Sequence, residues 1–418
     1  MASRRSLGQF ARRVSRVFWP SQRLRITREG WVYLGVWSFL LWVGLHQQIN
    51  LILLTAGLAF GPIFGSIFVS AEMLRRLRAT RRAPAYVFSG QPLQVEYTLE
   101  NTRRWTAALA LTLQDALTPM DRVVSGAGTL SPRAFFARVA GRERLHVRWE
   151  GVVPRRGRYR FGPMSLGTKG PFGLMERQLT ILDPLEIVVY PAVGHLTRRW
   201  HQRQREASEA SQGERYDRSS QQREYHGLRD YRPGDSPRWI HWRTSARVGK
   251  PMVKEFEQQH DQDLAILLDP WLPRTKVMPE QREALEAAVR FAATVCLETC
   301  RHPGRRLILG WTGATATVRQ GPASVKLLHE LLEQLAAMRP SVEGQMAALF
   351  DALPPSALRE AHMILVTTRP VNLLEEAERS AHLSGSAGRG LAARVLLLDV
   401  SRGDLEGQIH FDDGGARL

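Results

Sequence analysis

The sequence predicts a chain in three parts: an N-terminal two-helix transmembrane hairpin, a β-sandwich, and a C-terminal α/β domain built on a doubly wound parallel sheet. Three observations predict it. Residues 31–71, WVYLGVWSFLLWVGLHQQINLILLTAGLAFGPIFGSIFVSA, contain no Lys, Arg, Asp or Glu. Residues 83–193 alternate apolar and polar positions in short runs divided by Gly and Pro, the period of half-buried strands. From residue 262 onward, unbroken apolar runs alternate with helical patterns, the order expected of parallel strands joined by crossover helices.

A chain of 418 residues exceeds one ordinary core, so several domains are expected. Its apolar share of 44% and charged share of 23% are those of globular protein and exclude extended disorder. The net charge of +18 fits nucleic acid, an anionic membrane surface or simple solubility. Much of that charge flanks the apolar segment. Cys296 and Cys300, the two cysteines, lie four apart in a helical pattern. They exclude a disulfide framework, fit a reducing compartment, and read as helix-face packing.

The 41 uncharged residues would rise roughly 60 Å as helix, about twice a hydrocarbon core. The polar break His46–Asn50 marks a turn, giving a hairpin at 31–72 with spans of 31–47 and 49–71. Trp31, Trp37 and Trp42 are expected near the interfaces as anchors. Arg4, Arg5, Arg12, Arg13, Arg16, Arg23, Arg25 and Arg28 lie in the basic segment 1–30, and Arg75, Arg76, Arg78, Arg81 and Arg82 follow the hairpin. With no Lys or Arg at the turn, both ends are expected in the cytoplasm, with anionic lipid at the Arg-rich flanks. The long basic segment and the lack of a small-residue cleavage pattern argue against a signal peptide.

In the β-sandwich segment, QPLQVEYTLENT, ALALTLQDA, ERLHVRWEGV and LEIVVYP read as strands, and the stretch from Pro154 to Arg177 as Gly/Pro turns. Nothing in it resembles a catalytic set, so it reads as a spacer or docking face. Residues 195–224 are polar, charged and poor in aliphatics, the composition of a mobile linker.

Residues 225–260 hold the densest cluster of special residues. Pro233 and Gly234 make a turn. Asp235 or Ser236 is expected to cap a short helix with Pro237 in its first turn, ended by Gly249, and Met252–Phe256 to form a strand. Trp239, Trp242 and Ala246 share one helical face and are expected to be buried. Three readings compete. His226, His241 and Asp235 would suit acid–base chemistry, but no nucleophile stands at a recognisable spacing. Arg229, Arg232, Arg238, Arg243 and Arg247 among tryptophans suit nucleic acid, arginine pairing with phosphate and tryptophan stacking on bases. A structural clasp of Asp235–arginine pairs and tryptophans filling a seam, with a share for partner docking, weighs most.

Arg229, Tyr231, Pro233, Gly234, Asp235, Arg238, Ile240, Trp242, Ser245, Ala246 and Arg247 match R-x-Y-x-P-G-D-x-x-R-x-I-x-W-x-x-S-A-R. This resembles domain-of-unknown-function family fifty-eight. NLILL at 50–54, SGQPLQVEYTLEN at 89–101, RRGRYRFGP at 155–163, GPFGL at 170–174 and VVYP at 188–191 are similar to further family features. The resemblance implies bacterial origin, a membrane anchor, a C-terminal von Willebrand factor A-like domain, and partnership with a MoxR-type AAA+ ATPase.

In the C-terminal part, 262–418, DLAILLD, RRLILGWTG, ATATVRQ, AHMILVTTRP and ARVLLLDVS read as strands, and 280–301, ASVKLLHELLEQLAAM and EGQMAALFDAL as helices. Asp269 ends the first strand, where open α/β sheets place ligand sites. Metal-binding members of the A-domain class continue Asp-x-Ser-x-Ser, but Trp271 and Pro273 occupy the serine places here. Thr367, Thr368 and Arg369 stand where a second aspartate is expected, and Arg369 opposes a cation. One carboxylate is a poor site for a hard cation. Asp269 therefore reads as a vestigial position that caps a turn or pairs with an arginine. HELLE at 329–333 has Glu333 where a zinc helix needs a second His, and no G-x-x-x-x-G-K-[ST] occurs. SGSAGRG at 384–390 reads as a flexible connection.

The expectation is a non-enzymatic, membrane-anchored interaction protein of the bacterial inner membrane, two-pass, with its soluble parts in the cytoplasm and no cofactor. Its expected partners are the MoxR-type ATPase and other membrane or cytoplasmic proteins. The alternatives are a membrane-tethered nucleic-acid binder using 225–256 and an enzyme at Asp235/His241.

Overall fold

The computed structural model describes residues 22–121, 128–207, 227–231, 240–255, 263–274, 277–302, 304–344, 346–381, 383 and 385–411. The chain is mixed α/β with several sheets and divides into two compact units, 1–191 and 192–418.

The first unit starts with a strand, β1 (Gln22–Ile26), inside what reads from sequence as a basic tail. Helices α1 (Arg28–Gln47) and α2 (Asn50–Leu74) follow, joined at Gln48 and Ile49, with Gln48 in the left-handed region at φ 52°. They lie against each other, and Gly44 admits the close approach because a Cβ there would meet Leu53 Cδ2 at 3.0 Å. Tyr33 Oη donates to Ala59 O and Trp37 Nε1 to Ala56 O, each at 2.9 Å. Trp37 thus fills the helix–helix seam halfway along α1 and is no interfacial anchor, while Trp31 and Trp42 face outward. Asn50–Leu74 is, among the described residues, the one helix long and apolar enough by itself to cross a membrane. α1 falls short of that test, opening on Arg28 and Glu29 and closing on His46 and Gln47.

Strands β2 (Leu77–Arg82), β3 (Tyr86–Phe88), β4 (Pro92–Asn101), β5 (Ala108–Gln114), β6 (Leu117–Pro119), β7 (Arg133–Val139), β8 (Arg144–Val152), β9 (Gly157–Phe161), β10 (Met164–Thr168), β11 (Met175–Ile181) and β12 (Leu185–Tyr190) complete the unit. They form sheets ordered β1-β11-β10-β5-β7, β3-β12-β9-β6 and β2-β4-β8. All three contribute to one apolar core, including Leu99, Leu111, Phe136, Tyr159 and Leu166. After the two helices the strands resume at Leu77, ahead of the expected 83. Arg81, expected on the basic flank, is buried in this core and ion-pairs with Asp115 at 2.7 Å, both side chains having no exposure. Tyr97 Oη donates to the same carboxylate at 2.9 Å, and the Arg81 guanidinium stacks 4.4 Å from the centroid of Phe161.

The helices are rooted in this unit. Thr27 caps α1, its Oγ1 accepting from Gly30 N at 3.0 Å and donating to Gly173 O at 2.7 Å. Leu74 at the end of α2 belongs to the strand core. Arg103 donates from its terminal nitrogens to Glu72 O (2.8 Å) and Met73 O (3.1 Å), satisfying orphan carbonyls with a cation at the negative helix end.

The second unit opens with β13 (His195–Leu196), paired with β21 (Ile409–His410). A helix then runs to the limit of description at residue 207. The part of the expected linker up to residue 207 is therefore ordered structure. Trp200 holds it, buried and packed edge-on against Phe291 at 4.9 Å between centroids. The remainder of the linker lies outside the described residues.

The main sheet comprises β16 (Leu264–Asp269), β17 (Arg306–Trp311), β18 (Thr317–Pro322), β19 (His362–Thr367) and β20 (Val395–Asp399), ordered β18-β17-β16-β19-β20. β16, β17, β19 and β20 are mutually parallel, but β18 runs antiparallel to β17. The short connection between β17 and β18 permits a hairpin and no crossover, which corrects the all-parallel expectation. Helix α4 (Pro279–Arg301) buries Cys296 and Cys300, and burial pushes both thiols up. Helix α5 (Val325–Ala337) lies against it. Part of the expected flexible SGSAGRG connection is helical, within Ser386–Arg394.

Candidate functional site

Two places in the second unit answer to the sequence. The first is the motif segment. β14 (Gly227–Asp230) pairs antiparallel with β15 (Met252–Glu255), with Arg229 opposite Val253. Between them sits a seven-residue helix, α3 (Trp242–Val248). Its cap is His241, whose Nδ1 accepts from Thr244 N at 3.2 Å; the expected caps Asp235 and Ser236 lie outside the described residues. Gly249 ends it at φ 72°, a left-handed conformation that glycine adopts without penalty. Ser245 ties helix to strand: its Oγ donates to His241 O at 3.1 Å and accepts from Met252 N at 2.8 Å.

Ser245 is the buried residue of this helix. Trp242 is 69% exposed and Tyr231 37%, and Ala246 and Arg247 are exposed as well. The expectation that Trp242 fills a buried seam is therefore overturned. One short helix has a single inward face, and here Ser245 takes it in order to bond the strand. The structure brings Tyr231, Trp242, Ser245 and Arg247 onto one small hairpin–helix unit, and Arg229 onto its first strand. Pro233, Gly234, Asp235 and Arg238, with Arg232, Pro237, Trp239 and His226, lie outside the described residues. His241 spends Nδ1 on the cap.

The second place is the carboxyl end of the parallel strands. From β16 the chain passes to β17 on one side, and from β19 to β20 on the other. The crevice above β16 and β19 is thus the topological switch point, where α/β sheets usually take ligands. Asp269 ends β16 there with its side chain wholly buried. Thr312 Oγ1 donates to its Oδ1 at 2.7 Å, and Arg369 Nε to its Oδ2 at 2.9 Å. The arginine pairing expected of Asp269 is present. Thr312 escaped the sequence reading, although a polar residue directly after the apolar run of β17 was the available signal.

Two segments are tied together at this end of the sheet. Leu272 N donates to Ser341 O at 2.8 Å, Ser341 N to Pro270 O at 2.7 Å, and Trp271 Nε1 to Val342 O at 3.2 Å. The Arg369 guanidinium packs on Gly344, where a Cβ would collide with it. Thr368 Oγ1 donates to Trp271 O at 2.7 Å. Each Asp269 oxygen thus has an internal donor, and a positive charge sits where a cation would have to sit. Among the described residues no group of three or more His, Cys, Asp or Glu is placed to hold a metal ion.

No curated protein matches the chain. Among solved structures, it is similar to a β-glucosidase from Listeria innocua in complex with glucose, at 17% identity over 27% of this chain and 16% of that one, TM-score 0.20. It is also similar to the alkylpurine DNA glycosylase AlkC of Pseudomonas fluorescens bound to abasic-site DNA, at 15% identity over 29% and 33% of the two chains, TM-score 0.20. A third is the C-terminal domain of wzt, at 8% identity over 28% and 75%, TM-score 0.22. The chain thus spans about a sixth of the glucosidase and a third of the glycosylase, and likenesses this low bear on neither its fold nor its function. The family comparison falls on the two places described above: residues 227–406, from β14 through the switch-point sheet, match the model of Protein of unknown function DUF58.

Proposed function

We propose that this chain is a non-enzymatic interaction protein, anchored in the bacterial inner membrane by a two-pass hairpin of α1 and α2. Both termini and the soluble units face the cytoplasm. The second unit acts as a von Willebrand factor A-like domain without a metal site, docking a MoxR-type AAA+ ATPase that supplies the nucleotide hydrolysis. The observation that carries the reading is the outward-facing apolar surface of the hairpin, with Trp31, Val36, Phe39, Trp42, Leu51, Leu54 and Leu58 each more than half exposed. Such a surface is costly in water and favourable in lipid. Charge supports the orientation, since the basic residues flank the helices and the turn has none. The filled switch point supports a scaffold over a catalyst, and the outward Trp242 and Tyr231 support docking through the motif segment, aromatic residues being favoured anchors in interfaces.

In-cell crosslinking of the tagged full-length protein tests this, with Trp242→Ala and Asp235→Ala in parallel. The expected result is an AAA+ ATPase captured by the wild type and lost from a folded Trp242→Ala. Capture by every variant keeps the adaptor role and removes the motif from the interface. Absence of any ATPase overturns the partner assignment. One observation favours a second reading: Trp242 is exposed beside exposed Arg243 and Arg247, which suits single-stranded nucleic acid. Salt-sensitive retention of the full-length protein on DNA, lost in Trp242→Ala, would favour it.

A further inference from the structure

We infer that the β-rich unit makes a second contact with the bilayer, in which the Lys169–Leu174 loop sinks Phe172 to the edge of the acyl chains. This rests on the anchoring role proposed for the hairpin. The loop is level with the lower part of both helices: a Cβ on Gly65 would lie 3.3 Å from Phe172 Cε2, and one on Gly30 would collide with Leu174 O. At 1.5 Å per residue, Gly65 lies about 24 Å from the turn at Ile49, and Gly30 about 27 Å from Gln48. A hydrocarbon core is about 30 Å thick. With the turn at the far boundary, the loop falls a few ångströms inside the near one.

The apolar surface agrees with that depth. Phe64 and Phe68 are 52% and 58% exposed on α2, Trp31 is 65% exposed on α1, and Phe172 itself is 55% exposed. Where Phe172 meets α2 at Gly65, exposed apolar side chains thus stand on both the helix and the strand unit. Below it the chemistry changes to charge: Arg23, Arg25, Arg28 and Lys169 are exposed on β1, the start of α1 and the loop, with Glu29 the acid among them. Apolar tips above a cationic rim are the pattern of an interfacial contact with anionic phospholipid. The unit is also held for such a contact, because Leu74 and the Arg103 cap fix α2 to the strand core.

The test uses the full-length protein in phosphatidylcholine–phosphatidylglycerol vesicles. Single fluorophores are attached at Leu51→Cys, Phe172→Cys or Leu182→Cys; the native cysteines are buried. Quenching by brominated acyl chains is compared with quenching by aqueous iodide. Leu51 is next to the turn, and Leu182 is an exposed residue beyond the far end of β11. The expected result is severalfold stronger bromolipid than iodide quenching at positions 51 and 172, and the reverse at 182. Lipid quenching at 51 with iodide quenching at 172 overturns the second contact and leaves the anchor standing. Position 172 shielded from both quenchers overturns it in favour of a protein cover. Iodide access at 51 overturns the anchor itself, and the loop contact with it.

Discussion

The β-rich unit and the α/β unit each bury an aspartate against an arginine, and the settings differ. Asp115 meets Arg81 with both side chains wholly buried, and Tyr97 shares the carboxylate. Burial, with the neighbouring Asp115 charge adding to it, pushes the Tyr97 hydroxyl up, so it remains a donor. Asp269 is equally buried, but its Arg369 is 23% exposed and stands at the switch point of a sheet. In the core, an ion pair satisfies groups that strand packing has closed off. At the switch point, the same chemistry occupies a position where open α/β sheets usually take ligands. A carboxylate at a strand end is therefore no sign of a metal until its donors are known.

Breaking the core pair should have the largest effect. Arg81→Ala leaves the buried Asp115 carboxyl without its cation, and is expected to cost about 3–5 kcal/mol in denaturant unfolding of the detergent-solubilised chain. Arg81→Met with Asp115→Leu should recover most of that loss, since desolvation offsets much of what a buried pair gains. Arg369→Ala should cost less, about 2 kcal/mol, because Arg369 is partly exposed and water reaches the vacated place. Equal losses at the two pairs would remove the distinction between them. Thr312→Val isolates the remaining donor and should cost about 1.5 kcal/mol, the scale of a hydrogen bond to a charged acceptor.

The smallest effect concerns pH. His362, at the amino end of β19, is buried, and burial together with nearby Arg305 lowers its pKa below the ordinary 6.5. The unfolded chain therefore takes up this proton before the folded one does. Stability from this residue is full above about pH 6.5 and falls as the pH drops towards the folded-state value. His362→Gln should flatten that part of the profile, read as the difference in melting temperature between about pH 7.5 and about pH 5.5. An unchanged acid-side slope would assign it to other groups.

What could be read from the sequence was local in origin. The helices around the 46–50 break, the alternation of β4 and the buried runs of β16 and β19 follow from periods of 3.6 and 2 or from continuous apolarity. β1 was not legible: its five residues include two arginines, and what makes it a strand is pairing with distant β11. The burial of Arg81 depends on Asp115, and the role of Thr312 on β17 lying beside β16. In the motif segment, Gly249 announced its left-handed cap. The outward turn of Trp242 depends on a hydrogen bond from Met252 to Ser245 that no periodicity encodes.

The proposed anchor puts the outward apolar surface of α1 and α2 in lipid. Extraction of the full-length protein from cell membranes tests it most directly. The expected result is that the protein stays with the membrane pellet through high-salt and alkaline washes and leaves it only in detergent. Leu54→Arg with Leu58→Arg, at positions 61% and 72% exposed, should weaken that retention. Release of the unaltered protein by salt or alkali alone would contradict the claim.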